Sequence, residues 1–236
     1  RLVITDPWGE ELIWGYTGKP EPQSGYGLQH LCIPRGFGSK QQIGSQGVSL
    51  YAVEMFLTKN GLPMDKDPEY DYNNRMSIKS GDETIYLHRD REPRFEAWIG
   101  FDRGYYPVNG LTQLRLRAGE SAGAPVSGGS VLQNQDHFYS GYALAKGINP
   151  GAKVSSTQFS IIKYPMPIAR LAEMYFNYVE AYVEYYGKLD GKALTYINAI
   201  RQRAGLPNFE DSYSKIGIPT GEDLINTVRQ ERTIEF

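Results

Sequence analysis

Residues 166–236 constrain the chain most, because their apolar residues recur at helical spacing on two faces. Ile168, Leu171, Ala172, Tyr175, Val179, Tyr182 and Tyr186 share one face of a helix opening at Pro167, where a first turn tolerates proline. Met174, Tyr178, Ala181 and Tyr185 form a second apolar face, and Glu173, Asn177, Glu180 and Glu184 take the polar remainder. A helix apolar on two sides packs against neighbours on two sides, as stacked repeats do. Gly187 ends it, Asp190 is placed to cap the next helix, and Ala193, Ile197, Ile200 and Ala204 give that helix a buried stripe. Gly205-Leu206-Pro207 then reads as a stop. The hairpin occupies about 38 residues, close to the ~34 of a TPR unit. A third helix starts at Thr220, with Asp223 completing a capping-box-like pair and Leu224, Ile225 and Val228 leading its apolar face. It meets no stop before Phe236, so the sequence reads as part of a longer chain. One hairpin also falls short of the about three repeats a solenoid needs.

Residues 1–165 behave differently, with short apolar runs among Gly, Pro, Ser and Asn. Glu11–Tyr16 is a strand-like run, and Gly18–Gly47 is a long loop broken by Pro20, Pro22 and Pro34. Val48–Leu57 has helical spacing and ends at Asn60-Gly61. Pro63–Asn74 is an acidic loop, Arg94–Phe101 alternates like a strand, Gly119–Gly129 is a flexible loop, and Phe159–Tyr164 is extended. The expected fold is mainly α: a TPR-like α/α superhelix with long irregular loop-rich excursions and a few short strands. Residues 1–236 form a single domain, 1–165 its loop-rich, ligand-facing part and 166–236 its helices.

Composition narrows the function. The net charge is −2 with scattered basic residues, which offers no pull toward nucleic acid or an anionic membrane. No run approaches the ~18 apolar residues of a membrane span. Cys32 is the only cysteine, so no internal disulfide forms, and it reads as a small buried hydrophobe. Aromatics are the excess: 18 Tyr, nine Phe and three Trp. Most of them pack between elements, but tyrosine also suits half-wet surfaces.

The ordered motifs carry a resemblance. Arg170-Leu171-Ala172-Glu173, Tyr175, Asn177-Tyr178 and Glu180-Ala181 resemble the central helix of the SusD/RagB family. Ile197-Asn198, Ile200-Arg201, Arg203-Ala204-Gly205-Leu206-Pro207 and Gln230-Glu231-Arg232 continue it. Upstream, Glu11-Leu12-Ile13-Trp14, Val53-Glu54-Met55-Phe56, Asn60-Gly61-Leu62-Pro63 and Arg91-Glu92-Pro93-Arg94-Phe95 fit in order. The last departs from the family's Arg-Asp-Pro-Arg at Glu92. The resemblance implies the C-terminal region of a surface lipoprotein of the Gram-negative outer membrane. It implies capture of oligosaccharides, or in some members peptides, for a SusC-like TonB-dependent transporter. The lipid-bearing cysteine would precede Arg1, and neither catalysis nor a cofactor is implied.

Sugar binding needs flat aromatic faces with amide, hydroxyl or charged neighbours. Between Trp14 and Ser49, Trp14, Tyr16, Tyr26 and Phe37 offer faces; His30, Arg35, Gln41 and Gln42 offer hydrogen bonds. The resemblance implies that part of the binding surface comes from this region, although strand alternation could bury Trp14. Tyr105-Tyr106 is a second aromatic pair on a turn, and Trp98 reads as packing against the helices. Competing chemistries are weaker. His30, His88 and His137 lack metal-ligand spacing, and no GxSxG occurs. The Glu173, Glu180 and Glu184 row reads as a solvated helix face rather than a glycosidase pair. Asp65, Asp67 and Asp71 lack the EF-hand Gly and Glu and suit turn chemistry better than calcium. A TPR-like module for peptide or protein ligands is the alternative function.

Overall fold

The computed structural model describes residues 2–5, 8–17, 28–34, 37, 46–117, 138 and 140–236. In chain order these give α1 (Leu2–Thr5), β1 (Leu12–Tyr16), α2 (Leu28–Cys32), α3 (Leu50–Met55), α4 (Pro93–Trp98) and β2 (Ile99–Gly100). Then come β3 (Tyr105–Tyr106), β4 (Thr112–Gln113), β5 (Ala143–Leu144), β6 (Lys153–Val154), β7 (Phe159–Ser160) and β8 (Met166–Arg170). The chain closes with α5 (Leu171–Tyr186), α6 (Gly191–Arg203), α7 (Phe209–Tyr213) and α8 (Gly221–Glu235). The strands make four antiparallel two-stranded ribbons, pairing β1 with β8, β2 with β5, β3 with β4 and β6 with β7. The long helices lie in the last third, and short strands punctuate the loops before them, as the sequence predicts.

The α5/α6 hairpin forms because its signals agree. Gly187 takes φ +66 and donates its N–H to Val183 O, closing α5. Gly205 takes φ +77, and Leu206 N bonds Arg201 O, closing α6 with a buried leucine behind the turn. The expected stripe of α6 is buried: Ala193, Ile197, Ile200 and Ala204. It meets Ala172, Phe176, Val179 and Val183 of α5 and Leu224 and Val228 of α8.

Four expectations are corrected. The helix does not open at Pro167, because Met166–Arg170 pair with β1 and helix begins only at Leu171. The buried face of α5 therefore runs through Ala172, Phe176, Val179 and Val183, while Leu171 and Tyr186 are exposed and Tyr175 and Tyr182 half-buried. Met174, Tyr178, Ala181 and Tyr185, expected to be packed, are exposed. Of Arg94–Phe101 only Ile99–Gly100 is strand: Pro93 opens α4, and Arg94, Phe95 and Trp98 are buried together at helical spacing. Asp190 and Thr220 stand at the N-caps of α6 and α8, but neither side chain makes the capping bond. Asp190 accepts instead from Tyr182 Oη and Lys188. Sequence patterning gave no sign of the short α7.

Buried charge joins these parts. The Glu235 carboxylate, fully buried, receives Arg170 Nη1 at 2.9 Å, Arg203 Nη2 at 2.7 Å and Arg94 Nη1 at 3.3 Å. Burial alone raises a carboxyl pKa, but the three guanidiniums outweigh it and hold Glu235 below the usual carboxylate range. Lys146 Nζ donates to Glu235 O at 2.7 Å and lies 4.1 Å over the Trp98 ring. Its burial, with the guanidiniums nearby, pulls its ammonium down to about 7. Glu92, completely buried, accepts Arg94 Nε at 2.6 Å and Leu57 N at 2.9 Å. Arg201 is likewise buried, bonding Glu231, Ser212 Oγ, Pro207 O and Gly61 O. Gly61, at φ +71, sits so close to that guanidinium that a Cβ would collide with it.

His88 is also internal. Its Nδ1 lies 2.6 Å from Thr84 Oγ1 and its Nε2 2.9 Å from Tyr142 Oη. Thr84 Oγ1 donates to Asp102 O, so Nδ1 carries the proton and Nε2 accepts from Tyr142. Burial pushes the His88 pKa down to about 3.

Two predictions follow from these buried groups. Glu235→Ala removes the carboxylate that Arg94, Arg170 and Arg203 share, leaving Arg94 to Glu92 and Arg170 and Arg203 to Glu11, and should cost about 3–5 kcal/mol in denaturant unfolding. The exposed Arg229→Ala should cost under about 1 kcal/mol. The depressed His88 pKa gives stability that is present above about 6.5 and declines as pH falls toward 3, at up to about 1.4 kcal/mol per pH unit. Unfolding measured from pH 7 to 5 should show that slope, and His88→Gln should flatten it.

Candidate functional site

Trp14 and Tyr16 lie on the β1–β8 ribbon. Leu12 pairs with Arg170, Trp14 with Ala169, Gly15 with Pro167 and Tyr16 with Met166, with register shifts on both sides of Trp14. Such irregularities break the inward–outward alternation and re-aim side chains. Ile13, Trp14 and Tyr16 accordingly all face solvent, Trp14 at 65% and Tyr16 at 64% exposure. Alternation does not bury Trp14. Met166 and Ile168 of β8 are also exposed, so the ribbon presents aromatic and aliphatic surface together. Its base is held: Arg170 reaches into the Glu235 cluster, and Leu171 N donates to Glu11 O at 2.8 Å. Flat rings on a rigid, anchored ribbon suit stacking, because little freedom is lost when a ligand settles on them.

The second pair divides. Tyr105 and Tyr106 start the β3–β4 hairpin, and adjacent strand residues face opposite ways. Tyr105 is 57% exposed, whereas Tyr106 is fully buried, its one hydroxyl proton shared between Cys32 O at 2.7 Å and Leu144 O at 2.8 Å. Phe37 is buried too and packs 6.2 Å from the Tyr106 ring. Phe37 and Tyr106 are therefore core residues with no face open to a ligand. Cys32 sits in the same cluster, its thiol pushed up to about 12 by burial. Tyr26, Arg35, Gln41, Gln42 and the His30 side chain lie outside the described residues.

Sequence reasoning overlooked two exposed rings. Tyr51 projects from α3 at 75% exposure. Trp8 is 65% exposed and holds φ +61, a conformation that bulky residues avoid and that gathers at functional positions. The Pro7-Trp8-Gly9 run was the available signal. Trp98, as expected, packs internally, edge-on to Phe56.

The acidic candidates are engaged elsewhere. Glu180 accepts from Arg229 at 2.9 Å and Arg232 at 3.2 Å, and Glu184 accepts from Arg229 at 2.6 Å. This row ties α5 to α8 rather than sitting free in solvent. Asp67 accepts from Thr58 Oγ1, Asn60 Nδ2 and Glu69 N, and Asp71 accepts from Asn74 Nδ2, which is turn chemistry. Among the described residues no His, Cys, Asp and Glu group is placed to hold a metal ion.

This sorting of aromatics is measurable by stability. Trp14→Ala and Tyr16→Ala should each change the unfolding free energy by under about 0.5 kcal/mol. Tyr106→Ala should cost about 3–5 kcal/mol. Equal losses at all three positions would contradict the placement.

The sequence profile of the SusD family matches residues 10–236. The protein BT4246 superposes with a TM-score of 0.72 at 25% identity, over 97% of this chain and 39% of its own. A SusD-like protein from Bacteroides fragilis, BF3747, superposes with a TM-score of 0.66 at 22% identity, over 97% of this chain and 41% of its own. This chain thus spans about two-fifths of those relatives. The search of curated proteins gave no match. A profile matched over nearly the whole length, on a chain folded like SusD-like structures, makes this chain a member of the SusD family.

Proposed function

We propose that this chain contributes a glycan-capturing surface, with Trp14 and Tyr16 as its principal stacking platforms and Tyr105 as a further contact. The observation that carries the reading is the anchored ribbon, which holds two aromatic rings in solvent beside Met166 and Ile168. Apolar pyranose faces stack on such rings, and stacking needs no catalytic group. Glu180 and Glu184 are spent on arginines, which argues for binding without hydrolysis. Trp8 is the natural extension of the platform set, and Tyr26, His30, Arg35 and Gln41 remain candidates on the same side of the sequence. In this reading the whole protein is lipid-anchored at the outer-membrane surface and passes its glycan to a SusC-like TonB-dependent transporter. No helix among the described residues is long and apolar enough to cross a membrane.

The test is titration of the protein with a panel of soluble polysaccharides. For a glycan that binds, Trp14→Ala and Tyr16→Ala should each weaken affinity about tenfold or more, a loss of about 1.4 kcal/mol. Unchanged isotherms for both would remove the ribbon from the site. The exposed Met174, Tyr178 and Tyr185 row on α5 supports the second reading, a TPR-like surface for peptide or protein ligands. Peptide binding with silence across the glycan panel would favour it.

A further inference from the structure

A cleft of about 320 Å³ opens between the end of α3, the loop after Gly61-Leu62 and the first turns of α8. None of the ribbon's residues line it. Its volume falls at the lower end of small-ligand sites. Its wall includes Met64, which is buried, and Tyr72. The Tyr72 ring is held in place: the Arg75 guanidinium lies 4.0 Å over it, and Glu54 fixes Arg75 at 2.8 Å.

Part of the polar lining is exposed and, among the described residues, unpaired. On the same loop Asp67, Glu69 and Asp71 are each tied by hydrogen bonds or ion pairs. Asp65 from the loop and Asp223 and Asn226 from α8 have side chains that no group among the described residues engages, and all three face the cleft. Gln230 spends its Nε2 on Met55 O at 2.8 Å, which leaves its carbonyl oxygen as an acceptor. Planar carboxylates and amides beside a fixed ring match vicinal hydroxyls on a ring-shaped ligand. Charge adds selectivity. Glu54, Asp65, Asp223 and Lys66 line the cleft, with Arg75 bound to Glu54, leaving one net negative charge. An anionic ligand meets repulsion there, and a cationic one does not.

We propose that this cleft is a second sugar site, one that takes a single neutral or amino-substituted hexose unit and rejects uronates. It rests on the glycan-binding reading for its ligand class, but it uses separate residues. Its test is a titration of the isotope-labelled chain with D-glucose, D-glucosamine and D-glucuronate, followed by amide resonances. The Asn226 and Gln230 side-chain amides should shift with a midpoint in the millimolar range for glucose and glucosamine, and not for glucuronate. The double variant Asp65→Asn, Asp223→Asn should raise the glucosamine midpoint about tenfold with an unchanged melting temperature, while Trp14→Ala should leave it unaltered. Silence of those amides at tens of millimolar sugar, equal shifts with glucuronate, or loss of the shifts in Trp14→Ala would each overturn the proposal. A silent cleft in a protein whose ribbon variants still lose polysaccharide affinity discards this site alone. Ribbon variants that bind normally while the cleft responds discard the ribbon alone.

Discussion

Glu235 places one carboxylate where three guanidiniums from distant parts of the chain converge, and its backbone carbonyl takes a fourth cationic side chain, Lys146. Arg94 arrives from α4, Lys146 from the segment after β5, Arg170 from the end of β8 and Arg203 from the end of α6. Removing such groups from water costs several kcal/mol per ion, and the cost is recovered only if every partner is in position. The cluster therefore contributes less to net stability than to the choice of one arrangement. Helix α8 seats against α4, α6 and β8 together or leaves a buried charge exposed to nothing. Lys146, held near neutrality, can shed its proton and so lessen the local excess of positive charge. Arg201 and Glu231, both fully buried, make a second clamp of the same kind one helical turn away on α8.

Such clamps explain why most of the family-like motifs contribute architecture, with Trp14 of the upstream motif left exposed. Arg91–Phe95, Arg170, Arg203 and Gln230–Arg232 are largely drawn into the interior, and Arg91 alone bonds four backbone carbonyls, those of Val53, Phe56, Leu57 and Leu87. Glu92, where the resemblance shows a departure, still reaches both Arg94 and Leu57 N. The clamp has one consequence for recognition. By fixing Arg170 it fixes the root of the β1–β8 ribbon, and the ribbon carries Trp14 and Tyr16 out into solvent. Pre-ordering of that kind lowers the entropy that binding costs.

Legibility in the sequence varied with the physics of each element. The α6 stripe, the turns at Gly187 and Gly205 and the β1 run were readable because local spacing and backbone preference agree with the tertiary packing there. The register of α5 was not, because Pro167 and Ile168 fit a helical period as well as a strand, and only pairing with β1 decides between them. Residues 94–101 misled for a related reason. Their alternation treats Arg94 as an outward residue, yet its charge is matched inside by Glu92 and Glu235, 141 positions away in the second case. Among the site candidates the chemistry of the ring was readable and its exposure was not. Tyr105 and Tyr106 are the same residue type side by side, and the hairpin turns one out and seals the other.

Residue order alone thus settles the buried stripe of α6, the stops at Gly187 and Gly205 and the family pattern of the chain, since these depend on neighbours within a few positions. It also supplies the aromatic stock from which a binding surface is drawn. Which rings meet solvent, which arginines are internal and where a cleft remains open are decided only in the folded chain. Those outcomes depend on register shifts, on charge pairs between residues far apart in sequence and on helices meeting at an angle, and none of these leaves a local periodic trace.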